Sequence, residues 1–113
     1  MSNANAPLPV AQLRLNVPIT SPQAWTILVG TSSTPAIGAN QNRRGIIFAN
    51  PGSVNIYVVP SNLAAVIGQG ILILPGAQVE LLGNPSRNIN YNCAWNAIAA
   101  TGSSNPLTIM DLL

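Results

Sequence analysis

Between Gly45 and Leu82 the chain uses one short pattern twice: an apolar β-prone run, a Pro-Gly pair, then another apolar run. The first copy reads GIIFA, then Asn50-Pro51-Gly52-Ser53, then VNIYVV. The second is Ile71 to Leu74, the turn Leu74-Pro75-Gly76-Ala77, and Gln78 to Leu82. Proline presets φ at the second turn position and glycine accepts positive φ at the third, so each pair suits a type II turn. Runs this short and this rich in Ile and Val read as strands, and nothing between them has room for a helix of ordinary length. The first two runs are expected to pair antiparallel, and the second copy to repeat that strand–turn–strand unit. Residues 60–70 form a longer connection with space for one helical turn.

The flanking sequence extends the same reading. Leu13, Leu15, Val17 and Ile19 alternate with Gln12, Arg14 and Asn16, a two-residue period that predicts a half-buried strand. Trp25 to Val29 is a short β-prone run, and Gly30 to Asn42 is a loop by composition. Ile89, Tyr91, Cys93, Trp95 and Ala97 fall on one face of a predicted strand, with Asn88, Asn90, Asn92 and Asn96 on the other. Gly83 to Arg87 is a loop, and Leu107 to Leu113 closes the chain as a final strand. About seven or eight short strands, with turn signals every 8–12 residues, predict an all-β fold. The expected architecture is an antiparallel β-sandwich, jelly-roll-like, over residues 13–113. Residues 1–12, small, polar and Pro-containing, read as an extended N-terminal arm.

Composition decides what such a domain can do. Of 113 residues only six are charged, four Arg and two acids, with no Lys and no His, yet 48% are hydrophobic. Absence of His removes the histidine general base, the Ser-His-Asp triad and His-containing metal sites. Absence of Lys removes a Schiff base and a phosphate-loop lysine. Glu80 and Asp111 could pair as a glycosidase does, but the plainer reading makes each an exposed strand or near-terminal residue. Two acids are too few for a protein-only calcium cage. Cys93 is the sole cysteine, so no intrachain disulfide forms, and its place in the alternation predicts a buried, inert thiol. The chain is therefore expected not to be an enzyme and to carry no cofactor.

Binding signals are similarly sparse. A net charge of +2 rests on two surplus arginines, far from the dense cationic patch that nucleic acid requires. The stretch from Gly45 to Val79 is uncharged, but Asn, Ser, Pro and Gly break it well short of the ~18–20 apolar residues of a membrane span. Neither nucleic acid nor membrane is an expected partner, and residues 1–12 lack the form of a secretory signal. Gly68-Gln69-Gly70 is too short for a phosphate-binding fingerprint. Trp25, Trp95, Tyr57 and Tyr91 would stack on sugars if exposed, but their spacing favours the core. The asparagine row from Asn88 to Asn96 reads as a solvated sheet face, or as a surface for glycans or a partner. An exterior this poor in charge suits burial against copies of itself or a scaffold.

Three segments carry a resemblance: RRGIIFANPGSVNIYVVPSN, GQGILILPGAQVELL and YNCAWNAIAATGSSNPLTIMDL. Together they resemble small virion proteins of tailed bacteriophages, in which an arginine precedes a strand ending in Asn-Pro or Asn-Thr. A second strand with an aromatic residue follows, then a Gly-x-x-Leu-x-Pro-Gly segment, a Tyr/Trp-x-Ala-Ile-Ala strand and a terminal strand. Here these features fall on Arg44, Asn50-Pro51, Tyr57, Gly70 to Gly76, Trp95 to Ala99 and Leu107 to Leu112, within residues 43–113. The resemblance implies a virion structural protein without catalytic residues, most directly a capsid decoration or cement protein. Its implied partners are the major capsid protein and copies of itself, as a trimer or other homo-oligomer. Its implied location is the capsid exterior, after assembly in the host cytoplasm. Arg14, Arg43, Arg44 and Arg87 are the candidate contacts with capsid or neighbouring subunits. The alternatives are a receptor- or glycan-binding module of a fibre or spike, and a neck or tail accessory protein.

Overall fold

Residues 22–60, 63–87 and 91–113 are described by the computed structural model. They form eight strands: β1 Gln23–Val29, β2 Thr34–Ile37, β3 Gly45–Ala49, β4 Ile56–Pro60, β5 Ile71–Ile73, β6 Gln78–Leu82, β7 Trp95–Ala99 and β8 Asn105–Leu112. A 3₁₀ turn at Pro85–Arg87 is the sole helical element among the described residues. The arm at residues 1–12 and the alternating run from Leu13 to Ile19 lie outside them.

The strands make two four-stranded sheets, ordered β1-β8-β3-β6 and β2-β7-β4-β5. Every pairing is antiparallel. The pairs are nested: first with last, second with seventh, third with sixth, fourth with fifth. A single long antiparallel ribbon has been rolled so that β8 also meets β3 and β7 also meets β4. This is the jelly roll, a double-sheet sandwich.

Alternation places the core. Strand β3 directs Ile46 and Phe48 inward, β4 directs Ile56 and Val58, and β8 directs Leu107 and Ile109; all six are fully buried. Trp95, Ala97 and Ala99 of β7 join them, on the same sheet as β4 and facing β3 and β8 of the other. The indole of Trp95 lies 5.8 Å from the Phe48 ring at a tilt of 59°. Each large aliphatic side chain taken from water contributes about 1.5–3 kcal/mol, so the inner faces hold the sheets together.

Both Pro-Gly connections differ from the expected hairpins. Each carries the chain from one sheet to the other, so β3 does not pair with β4, nor β5 with β6. Pro75-Gly76 does make the expected turn: Gly76 has φ 78° and the Ala77 amide donates to Leu74 O at 2.9 Å. A type II turn splays its flanking strands, however, because its twist opposes theirs. Gly52 is not among the positive-φ glycines. There the Gly52 amide donates to Asn50 Oδ1 at 3.1 Å, an Asx turn in place of the type II turn.

Asn50 organises this end of the sandwich. It is 1% exposed, and its Nδ2 donates to Val54 O (2.7 Å) and Ile73 O (2.9 Å). Its backbone amide donates to Ala77 O, and its carbonyl accepts from the Gly76 amide. One side chain therefore fastens both sheet-crossing connections together.

Further differences are local. The loop expected over Gly30 to Asn42 contains β2, whose register slips between Pro35 and Ile37 against β7. Strand β7 starts only at Trp95, so the long alternating strand expected from Ile89 is not formed over 91–94. Cys93, outside that strand, is exposed rather than buried. Residues 63–70 contain turns and bends but no helical turn.

Candidate functional site

At the end of the sandwich opposite Asn50, one arginine gathers three segments of chain. Asn40 turns the chain here, its Oδ1 accepting from the Asn42 amide at 2.9 Å, and delivers Arg43 beneath the sheets, 6% exposed. Nε donates to Asp111 Oδ1 at 2.7 Å, and Nη2 donates to Oδ2 at 3.4 Å. Nη1 donates to Tyr91 O (2.9 Å) and Cys93 O (2.8 Å), and Nη2 also donates to Gly38 O. All five guanidinium N–H groups thus have acceptors, which only the planar fork of arginine can arrange. Breaking a buried pair of this kind is strongly destabilising, because the remaining charge stays buried without its partner.

This geometry removes Arg43 from the expected set of outward contacts: its charge is held inside. Asp111 is likewise not the exposed near-terminal residue expected from sequence. It pairs in register with Ile46, whose side chain points inward, whereas Glu80 pairs with the next residue, Ile47. Successive strand residues face opposite sides, so Glu80 is directed outward and the two carboxylates do not share a site. Among the described residues no three His, Cys, Asp or Glu side chains come together as a metal site would require.

Of the other arginines, Arg44 and Arg87 are exposed and Arg14 lies outside the described residues. Arg44 begins β3's approach through its backbone, its amide donating to Leu112 O and its carbonyl accepting from Gly83. The exterior charge of the described residues therefore comes from Arg44, Arg87 and Glu80.

The aromatic residues are divided between surfaces. Trp95 is in the core, with Tyr91 6.4 Å away and Trp25 packed against the same cluster. Tyr57 lies instead on the outer face of the second sheet, beside Val59, Ala65 and Ile98. The four rings do not form one exposed platform. The amide row also disperses: Asn88 and Asn90 are outside the described residues, and Asn96 donates to Leu63 O at 2.9 Å. Two buried polar atoms, Trp95 Nε1 and Asn92 Oδ1, have no partner among the described residues.

What the sequence did not disclose is the outer face of the second sheet. Tyr57 and Val59 of β4, Ile98 of β7 and Leu72 of β5 point away from the main core, where a solvated sheet would carry polar groups. The connection after β4 folds back over them. Its Ala65 is buried against Val59 and Ile98, while the Ala65 amide donates to Ser33 Oγ at 2.9 Å. With the Asn96–Leu63 bond, this fastens the loop at two points. Leu63, Val66 and Ile67 of this loop are exposed, as are Leu72 on β5 and Leu74 after it. Apolar residues on both faces of β4 and β7 were the available signal.

Comparison with protein-family models, curated proteins and solved structures found no match. The case for function therefore rests on the surface itself.

Proposed function

We propose that this chain is a structural protein of a bacteriophage virion, a decoration or cement protein that binds and stabilises the capsid shell non-covalently. The observation that carries the reading is the exterior: exposed Leu, Ile and Val side chains on a jelly roll whose described surface charge comes from Arg44, Arg87 and Glu80. Such a surface gains by burial, at about 25 cal/mol per Å² of apolar area before association costs. Many copies on one shell would add avidity. The jelly roll agrees with the reading as analogy, since viral capsid domains use it, but lectins use it too. The resemblance over residues 43–113 adds to the same side. A glycan-binding module would be better served by aromatic rings gathered on one surface, and these are divided. Arg44 and Arg87 are the exposed cations with which an acidic shell would pair.

Co-sedimentation tests the proposal. The purified chain is added to phage capsids lacking it, and occupancy and shell melting are followed together. Saturable binding with a raised shell melting temperature is expected. A chain that leaves the capsids unoccupied, and binds immobilised glycans as a stable monomer, would overturn the reading in favour of a receptor-binding module.

A further inference from the structure

Each sheet of the sandwich ends in two edge strands, and three of the four are blunted. Strand β2 has four residues, Pro35 among them, and its register slips. Strand β5 has only three residues, and β6 carries Glu80 at its centre. Proline, charge, irregular pairing and short length all discourage a further strand from adding. Strand β1 has none of these. Its seven residues are uncharged, contain no proline and keep unbroken register with β8, its one partner among the described residues. A row of alternating N–H and C=O groups is complemented by an extended polypeptide backbone. The inner face is also incomplete here. Trp25 and Ile27 lie opposite the buried Ile109 and Leu107, yet both are only partly buried.

We propose that the free edge of β1 is the docking site of residues 13–19 of the same chain, added antiparallel outside β1. Thr20, Ser21 and Pro22 make the connection, a length common in hairpins. Three connecting residues set Ile19 opposite Gln23, Val17 opposite Trp25, Leu15 opposite Ile27 and Leu13 opposite Val29. Residues directly opposite share a face. The four apolar residues therefore join Trp25 and Ile27 on the inner face, and Arg14 and Asn16 join Leu28 and Thr26 on the outer one. A connection one residue longer or shorter would reverse every side chain. The segment also brings what β1 lacks: Arg14 and Pro18, a charge and a proline, suit the last strand of a sheet. The inference does not depend on the decoration reading, and under that reading it limits the arm to residues 1–12.

Residue-resolved amide exchange on the full chain tests this. Alternate amides of β1 face β8, and the others face the free edge. All amides from Ala24 to Leu28 are expected to exchange slowly, whereas slow exchange at every second residue only would overturn the inference. Leu15→Asp places a carboxylate on the inner face and should release the edge-facing amides. The β8-facing amides should stay slow, which shows that the sandwich is still folded. A variant whose edge-facing amides also stay slow would overturn the inference. Cross-linking then identifies the occupant. Asn16→Cys with Thr26→Cys, in a Cys93→Ala background, should close a disulfide within one chain on mild oxidation. Arg14→Cys with Thr26→Cys, out of register by two residues, should close it far less readily. Disulfides between chains would mean that the edge is covered by another copy, and equal closure of the two pairs would mean that no register is held; either result overturns the proposal.

Discussion

Arg43 shows how a scarce residue type can be used where it is hardest to see. Its guanidinium joins Asp111 to the carbonyls of Gly38, Tyr91 and Cys93, so its removal would affect several segments together. Arg43→Leu should destabilise the fold by about 3–5 kcal/mol, because it leaves Asp111 buried without its counter-ion. Arg43→Lys should also destabilise it, since three ammonium donors cannot serve five positions. The paired change Arg43→Met with Asp111→Leu should cost less than Arg43→Leu alone. Urea denaturation of the variants checks the order, and a paired variant worse than the single one would contradict this account of the pair. Half of this was legible in the sequence. Asp111 stands two and four residues after Ile109 and Leu107, on the face those residues bury. Its partner was not legible, because Arg43 lies in a loop and strand periodicity does not extend there. Cys93 misled for a related reason: alternation implied a strand that the backbone does not form at that residue.

At the scale of elements, the Pro-Gly pairs held more information than their simplest reading used. Composition indicated the type II turn at Leu74 to Ala77, and that turn geometry argues against a tight hairpin. The sheet crossing between β5 and β6 thus follows from the same residues that first suggested a hairpin. Between β3 and β4 the deciding group is Asn50, whose role depends on Ile73, far along the chain, and so was invisible locally. Asn50→Ala should cost about 2–3 kcal/mol, because Val54 O and Ile73 O lose their shared donor. Asn50→Asp should be worse, since it also directs a carboxylate at two carbonyl oxygens. Thermal melts rank the two, and equal melting temperatures for Asp and Ala would mean the carbonyls are satisfied some other way. Strand existence was otherwise well marked by apolar runs. The exception is β2, a four-residue strand whose Thr, Pro and Ala look like loop and whose pairing with β7 comes from the tertiary fold.

Over the whole molecule, the nested ribbon decides where strength lies. Gln23 at the start of β1 sits opposite Asp111 near the end of β8, and Val29 sits opposite Asn105. Force applied at Gln23 and Leu113 therefore loads the β1–β8 ladder one bond at a time, as a zipper is opened. Force applied at Gln23 and Ser104 pulls the two strands lengthwise and loads the whole ladder together. Single-molecule stretching through Gln23→Cys with Leu113→Cys, and through Gln23→Cys with Ser104→Cys, compares them in a Cys93→Ala background. The first geometry should yield at clearly lower force, and equal forces would mean that another contact bears the load. The rolled ribbon thus makes the molecule mechanically anisotropic: tension between Gln23 and Leu113 peels β1 from β8, while tension along the β1–β8 seam meets the resistance of seven register pairs acting in parallel.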